Sequence, residues 1–489
     1  MPWVNKRRWQ VPPVLSSPPP LGNIIVTIHY NDLERPVDQD DAARITNSQY
    51  LTSYNWLSGN SASIIVPGEP PQWTPPSDPL PLRQDSGQYY CDPNAARYPA
   101  HPLEPMIQAI LTDKPEFPVT DMDIVGCSFT LNNLLGFACG QDKPFRMLVE
   151  AVGKTVFFIR RENSPTEMYD GVHGYGHTFP AVYTAWSANV AGSDSHQRVV
   201  AYDFAGMKCL VRFKADGFLP DLISGNEEKK ELLLPRYINP DEALPSIERA
   251  ETPGTKMEEE FRPPRNIDPN EALPSIEGAE IPMTEMKEES LPPRNIDPDE
   301  ALPSIEGAEI PMTEMKEEYR PPRDIVDPDE ALPSIEGVEI SDQQSTTPDM
   351  ALQKLDITRK GRHIPQCAVF DLKTRSYNKS KTDVLGGELG RLWITQTPNF
   401  ILAFHKSNKF REIRIQDVQV DVQLFEEAEQ PALGRFACLL QMMVEFARSS
   451  VDGRLEIQRE EGERFLSVRN PGGVVHGVLS QAAASRWDE

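Results

Sequence analysis

The run Cys367-Ala368-Val369-Phe370-Asp371-Leu372-Lys373-Thr374 decides how this chain is read. An apolar stretch closing on Asp-Leu-Lys predicts a buried strand, and side chains on a strand alternate from face to face with period two. Asp371 and Lys373 therefore share one face. A carboxylate beside an ammonium on a buried strand is the pairing that metal-assisted phosphodiester hydrolysis uses. The acid ligates Mg²⁺ or Mn²⁺, and the lysine positions a water or offsets charge developing on phosphate. Asp-x-Lys pairs also occur on ordinary strands, so the segment gains its weight from its surroundings.

Outward from that strand, the pattern predicts a helix through Gly387–Gln396, with Trp393 and Gln396 near its end, then a strand Phe400–His405. Residues 412–424 alternate and read as another strand, and Leu433–Arg448 as an amphipathic helix. Upstream, Met147–Glu150 and Thr155–Arg160 read as strands joined by a turn at Gly153-Lys154, followed by a strand Val199–Tyr202. The ladder Cys209–Asp216 alternates apolar and polar residues. Ile24–Ile28 is a further strand, and the prolines from Pro67 to Pro81 suggest that residues 23–120 form a loop-rich wrapper.

Between the two halves the composition changes. The chain has 489 residues, 47 prolines and a net charge of −25. Residues 227–340 hold 31 acids against 12 bases, about 19 of those net negative charges. Asn239–Glu248, Asp268–Glu277, Asp297–Glu306 and Asp327–Glu336 are near-copies of one ten-residue unit, 29–30 residues apart. Such a period fits a solenoid, but each unit carries prolines and acids, and the array holds only Tyr237, Phe261 and Tyr319 as aromatics. It cannot bury enough apolar surface to offset its ordering entropy. The array reads as a disordered acidic insertion; the alternative is a multivalent bait whose Ala-Leu-Pro-Ser-Ile units dock a protein partner. The expected organisation is a proline-rich tail over 1–22, the wrapper and first half of the core over 23–226, the insertion over 227–350 and the second half over 351–480.

The overall acidity argues against wrapping of bulk nucleic acid and leaves room for a local basic groove. Cysteines 91, 127, 139, 209, 367 and 438 form no C-x-x-C pair, and several lie in apolar runs, which predicts reduced core thiols. The start, Met1–Arg8, leads into proline, and no run has membrane-spanning length, so the expectation is a nuclear or cytoplasmic protein with no membrane partner. His173, His177 and His196 suit no standard zinc spacing and read as loop or fold-stabilising residues. The basic run His405–Arg414 suits an RNA path or a solvated hairpin.

With the insertion set aside, Phe213-Lys214-Ala215-Asp216 is the strand just before Phe370-Asp371-Leu372-Lys373. Loop length between two strands costs only about 0.6 kcal/mol per doubling. One strand ending in Asp beside another carrying D-x-K resembles the core of the PD-(D/E)XK nucleases. More narrowly, the chain resembles the DXO-type decapping exonucleases over 121–220 and 364–425. Asp123–Ile159 is similar to their opening strand–helix–strand block. Gly176-His177-Thr178-Phe179-Pro180-Ala181 resembles a glycine-led motif that ends in a metal-binding Glu. Lys214-Ala215-Asp216 resembles their E-x-D, Asp371-Leu372-Lys373-Thr374 their E-L-K-T, and Leu392–Gln396 with Pro398 their W-x-Q…P segment. The stretches Gly176–Pro180 and Trp393–Asn399 are also similar to a divergent fungal group, some of whose members carry a prenyl-diphosphate-synthase label. The residues give that label no support, since no D-D-x-x-D pair is present and the cluster Asp38–Arg44 lacks the spacing.

The resemblance implies an α+β fold, a mixed central β-sheet with flanking helices, and an enzyme that acts on RNA 5′ ends with Mg²⁺ or Mn²⁺. It makes Asp216 and Asp371 the metal ligands, Lys373 the lysine facing water or phosphate, and Gln396 an accessory contact. A helix-end hydrogen bond is the plainer role for Gln396. The departures carry equal meaning. Ala181 stands in place of a carboxylate, Lys214 in place of the first acid of E-x-D, and the family's opening arginine has no counterpart near Cys127-Ser128. A basic pair expected before E-x-D is here Ala201 and Asp203. A lysine a few ångströms from a metal site opposes the metal electrostatically. Two readings follow: a divergent metal-dependent RNA 5′-end hydrolase, or a lapsed module of the same fold that binds RNA ends or protein partners.

Overall fold

The computed structural model describes residues 19–34, 43–59, 61–86, 89–161, 164–165, 167–169, 174–224 and 354–487. The repeat insertion and most of the proline-rich tail lie outside these residues, as does His173.

The fold is α+β, built on two mixed sheets. The larger has eleven strands in the order 21–29, 465–471, 454–459, 145–152, 155–160, 124–127, 207–215, 193–204, 45–57, 63–68 and 356–361. Most neighbours are antiparallel; Ile124–Cys127 runs parallel to both of its neighbours, and Asp356–Gly361 parallel to Ser63–Gly68. Its central strands are apolar on both sides because helices cover both faces. Val149, Phe158, Val200 and Val211 point into a core with the helices Ser128–Ala138 and Gln430–Ser449. Their neighbours Leu148, Phe157, Val199 and Leu210 point the other way, against Glu104–Asp113. The period-two switch is thus used twice on each strand.

The smaller sheet has six strands in the order 184–185, 72–73, 217–218, 369–376, 399–406 and 409–417. One continuous piece of chain serves both sheets. Met207–Ala215 pairs within the larger, Gly217–Phe218 within the smaller, and Asp216 is the joint. Gly217 permits this crossing: a Cβ there would come within 2.4 Å of Phe370 Cζ and 2.7 Å of the Pro71 carbonyl oxygen. No helix among the described residues is long and apolar enough to cross a membrane.

Two elements differ from the sequence expectation. The alternation over 412–424 ends as a strand at Asp417, and Gln419–Ala428 is a helix. Val418, Val422 and Phe425 pack inward at helical spacing, and Glu426 accepts from the Trp393 indole at 2.7 Å and the Ile45 N–H at 3.0 Å. Val420 and Leu424, which made the alternation, face outward. The wrapper region supplies strands Ile45–Leu57 and Ser63–Gly68 of the larger sheet. Two of its polar residues are buried through satisfied hydrogen bonds: Thr52 Oγ1 donates to Asp113 at 2.8 Å, and Asn55 Nδ2 to the Glu69 carbonyl and Ser193 Oγ, each at 2.8 Å.

Candidate functional site

The antiparallel register Gly217↔Phe370 and Phe218↔Val369 brings Asp216 alongside Asp371. Backbone bonds fix the approach. The Asp216 N–H donates to the Phe370 carbonyl at 3.3 Å, and the Leu372 N–H donates to Asp216 Oδ2 at 2.9 Å. The two acids named from sequence therefore meet on adjoining strands, with Lys373 two residues along.

Each acid already holds a protein cation. Lys214 Nζ lies 3.0 Å from Asp216 Oδ1. Burial alone would discourage ionisation of Asp216, yet the Lys214 ammonium, the Leu372 N–H and Lys373 together hold its carboxyl below the usual range. Asp216 in turn holds Lys214 charged above its ordinary value, with Asp371 adding to the pull. Asp371 is gripped by the guanidinium of Arg391 at two points, Nη2 on Oδ1 at 2.8 Å and Nη1 on Oδ2. Such a fork is among the stronger charge-assisted contacts. Burial opposes the charge on Arg391, but Asp371 first, and Glu388 with it, raise its pKa well above the ordinary value.

Glu388 extends the network. Arg391 Nε and Nη2 donate to its Oε2 at 3.0 and 2.8 Å, and Lys373 Nζ and Arg375 Nη2 each lie 3.7 Å from the carboxylate. At that distance Lys373 is an ion-pair partner without a hydrogen bond, so its three donors stay available. Four cations thus face three acids in one connected cluster. Glu388 and Arg391 were not singled out from sequence, although an acid three residues before an arginine at a helix start is a recognisable pair.

The remaining positions fall differently. Gln396 ends the helix Leu389–Thr395 in the left-handed conformation, φ 51° and ψ 39°. Its Nε2 donates to the Trp393 carbonyl at 2.6 Å, and its own carbonyl accepts from Gln366 at 2.9 Å, so the side chain is spent on closing its helix. Ala181 is exposed on the helix Thr178–Tyr183, which buries Phe179 and Tyr183 against Trp73 and Phe370. A guanidinium does stand beside Cys127, from the neighbouring strand. Arg212 pairs in register with Cys127 and donates to Gln197 Oε1 at 3.3 Å.

As these side chains stand, the set does not fit Mg²⁺ or Mn²⁺. Both metals ask for several oxygen ligands, whereas Asp216 and Asp371 are each committed to a cation and Ala181 supplies no oxygen. Among the described residues, no group of three His, Cys, Asp or Glu side chains is placed to hold a metal ion.

No curated protein matches the sequence. Among solved structures the chain is similar to Rai1 of S. pombe, at 8% identity and a TM-score of 0.47, over 91% of this chain and 98% of that one. It is also similar to Candida albicans Rai1 in complex with pU5-Mn²⁺, at 8% identity and 0.44, over 92% and 97%. Dxo1 of K. lactis in complex with manganese is similar at 7% identity and 0.40, over 92% and 98%. Likenesses this faint carry no argument about chemistry. A family model matches residues 25–227 and 326–464, more than half of the chain, and its break falls within the repeat array. The chain belongs to the family described as Domain of unknown function (DUF8563).

Proposed function

We propose that this protein binds the phosphorylated 5′ end of RNA without a divalent metal, through a nuclease-like cleft whose hydrolytic function has lapsed. The observation that carries the reading is the pairing of both central carboxylates with protein cations, Asp216 with Lys214 and Asp371 with Arg391. A metal would have to displace these cations from the carboxylates before binding, and the forked, largely buried Arg391–Asp371 contact is the harder of the two to give up. Ammonium and guanidinium groups recognise phosphate directly, and Lys214 and Lys373 are exposed enough to reach one, at 59% and 32% of their side-chain surface. Asp216 and Asp371, each already accepting from a cation, are poorly placed to recruit the metal whose bound water would be the nucleophile of a metal-dependent hydrolase.

The retained hydrolase is the second reading, favoured by the side-by-side placement of Asp216 and Asp371 with Lys373 on the same strand. One experiment separates the two. Fluorescence anisotropy with 5′-monophosphorylated and 5′-hydroxyl RNA is measured in EDTA and in Mn²⁺, with cleavage followed on gels. The proposal expects tighter binding of the phosphorylated end in EDTA, weakened about tenfold by Lys373→Gln, and no cleavage. Mn²⁺-dependent cleavage that Asp371→Ala abolishes would establish the hydrolase instead.

A further inference from the structure

A second cleft, of about 450 Å³, opens beside the helix Thr178–Tyr183; Arg375 links it to the carboxylate cluster, and its other lining residues lie outside that cluster. Along the strand Val369–Ser376, Asp371 and Lys373 face Glu388 and Arg391. Leu372 faces the opposite way, into the aromatic cluster of Phe179 and Tyr183. Thr374 and Ser376 continue that second face and line the cleft. The cleft therefore opens on the other face of the strand that carries Asp371, and Arg375, which lies 3.7 Å from Glu388, borders both sites.

Its wall has a definite chemistry. Arg375 and Lys379 supply positive charge, and His177 and His405 present imidazole rings. The carboxylate in the lining, Asp85, is turned to the backbone: Oδ2 accepts from the His177 N–H at 3.0 Å and Oδ1 from the Thr178 N–H at 2.8 Å. It is held ionised below its usual range, against its burial, by those two bonds. It thus fixes the loop that carries His177. That ring is solvent-exposed and stacks on Tyr89 with centroids 3.7 Å apart and 10° between planes. His405 packs against Tyr175, whose hydroxyl donates to the Ser407 carbonyl at 3.0 Å. Flat rings held rigidly beside cations, in a volume within the range of small-ligand sites, suit a ligand that is planar at one end and anionic at the other.

We propose that this cleft is a nucleotide site, taking a nucleoside phosphate with its phosphate toward Arg375 and Lys379 and its base against the imidazoles. Base–ring stacking contributes about 1–3 kcal/mol per base and tolerates any base, so the site discriminates by phosphate and planarity. The nucleotide is either free or part of an RNA strand. The two sites share Arg375, whereas Lys379 and His177 line this cleft without belonging to the carboxylate cluster, and the test is placed on those two.

The test uses the full chain and two probes, adenosine 5′-monophosphate and a short 5′-hydroxyl oligouridylate. Calorimetry follows the native protein, Lys379→Glu and His177→Ala, with thermal melts to verify folding. Lys379 is exposed, so its charge reversal leaves the core intact. Saturable binding of the mononucleotide, weakened tenfold or more by Lys379→Glu and several-fold by His177→Ala, supports a free-nucleotide site. The same losses with the oligonucleotide alone support a strand-binding subsite. Binding of neither probe, binding indifferent to both substitutions, or equal competition by inorganic phosphate overturns the assignment.

Discussion

Arg391 Nη2 lies 2.8 Å from Asp371 Oδ1 while the same guanidinium holds Glu388 at 2.8 Å, so one arginine spans a carboxylate on a strand and another at the start of its own helix. A planar fork with fixed donors does this in a way a lysine does not. The cleft is consequently neutralised from within the protein.

Replacing that arginine exposes the acids to other cations. Arg391→Gln leaves Asp371 and Glu388 facing each other without their shared counter-ion, and loses about 3 kcal/mol of stability in urea titration. Part of that loss returns on adding Mn²⁺, which the native chain does not respond to. A variant as stable as the native chain, and equally blind to Mn²⁺, would show that the fork contributes nothing to either property.

Lys214→Glu combined with Ala181→Glu restores the two acids whose absence sets this chain apart from the nucleases it resembles. The double variant acquires Mn²⁺ affinity, read as a rise in Tm of about 5 °C at saturating metal. Metal binding unchanged from the native chain would mean that position 181 does not converge with 214 on Asp216.

Gly217→Ala tests the joint between the sheets. The added methyl collides with the Phe370 ring and the Pro71 carbonyl, and overpacking of this kind costs about 1–3 kcal/mol. RNA-end binding falls with it, because Asp216 and Asp371 separate. Loss of stability with unaltered binding would argue that the crossing does not set the geometry of the cleft.

His196 gives the fold a pH dependence. It is fully buried on the strand Ser193–Phe204, and its Nδ1–H donates to Asn55 Oδ1 at 2.6 Å, since Asn55 Nδ2 is occupied as a donor. Burial first, and Arg198 next, push its pKa well below 6.5. The folded chain therefore stays neutral at this position where the unfolded chain takes up a proton. The unfolded state binds more protons below about pH 6.5, so stability is at its plateau above that value and falls as pH drops. The slope approaches about 1.4 kcal/mol per pH unit for one such group. Melting between pH 7.5 and 5.5 should show the decline, and His196→Gln should flatten it; an identical profile in the variant would assign the pH response elsewhere.

Much of this architecture was readable from local pattern. The strand–helix–strand block 124–160 declares itself because its apolar residues repeat at the right periods and Gly153 turns the hairpin at a positive φ of 57°. The meeting of Asp216 and Asp371 was legible once the acidic insertion was removed from view. The strand Ile45–Leu57 was not, because Thr52, Ser53 and Asn55 look solvated until their distant partners are in place. The alternation through Val420 and Leu424 misled for the converse reason: a two-residue period and a helical one coincide over a few positions, and Glu426 with Phe425 decides between them. Glu388 and Arg391 escaped notice because what they neutralise lies across space rather than next in sequence. Lys214 was seen as a substitution, and its partner Asp216 was two residues away.

The crossing of one strand from the large sheet into the small one has an electrostatic meaning. The backbone that joins the layers runs through Ala215, Asp216 and Gly217, and Asp216 is itself half of the ion pair with Lys214. Charge and crossing thus share an address. An anion drawing Lys214 away would uncover a carboxylate at the very residue that stitches the layers together, its N–H donating to the Phe370 carbonyl and its Oδ2 accepting from the Leu372 N–H.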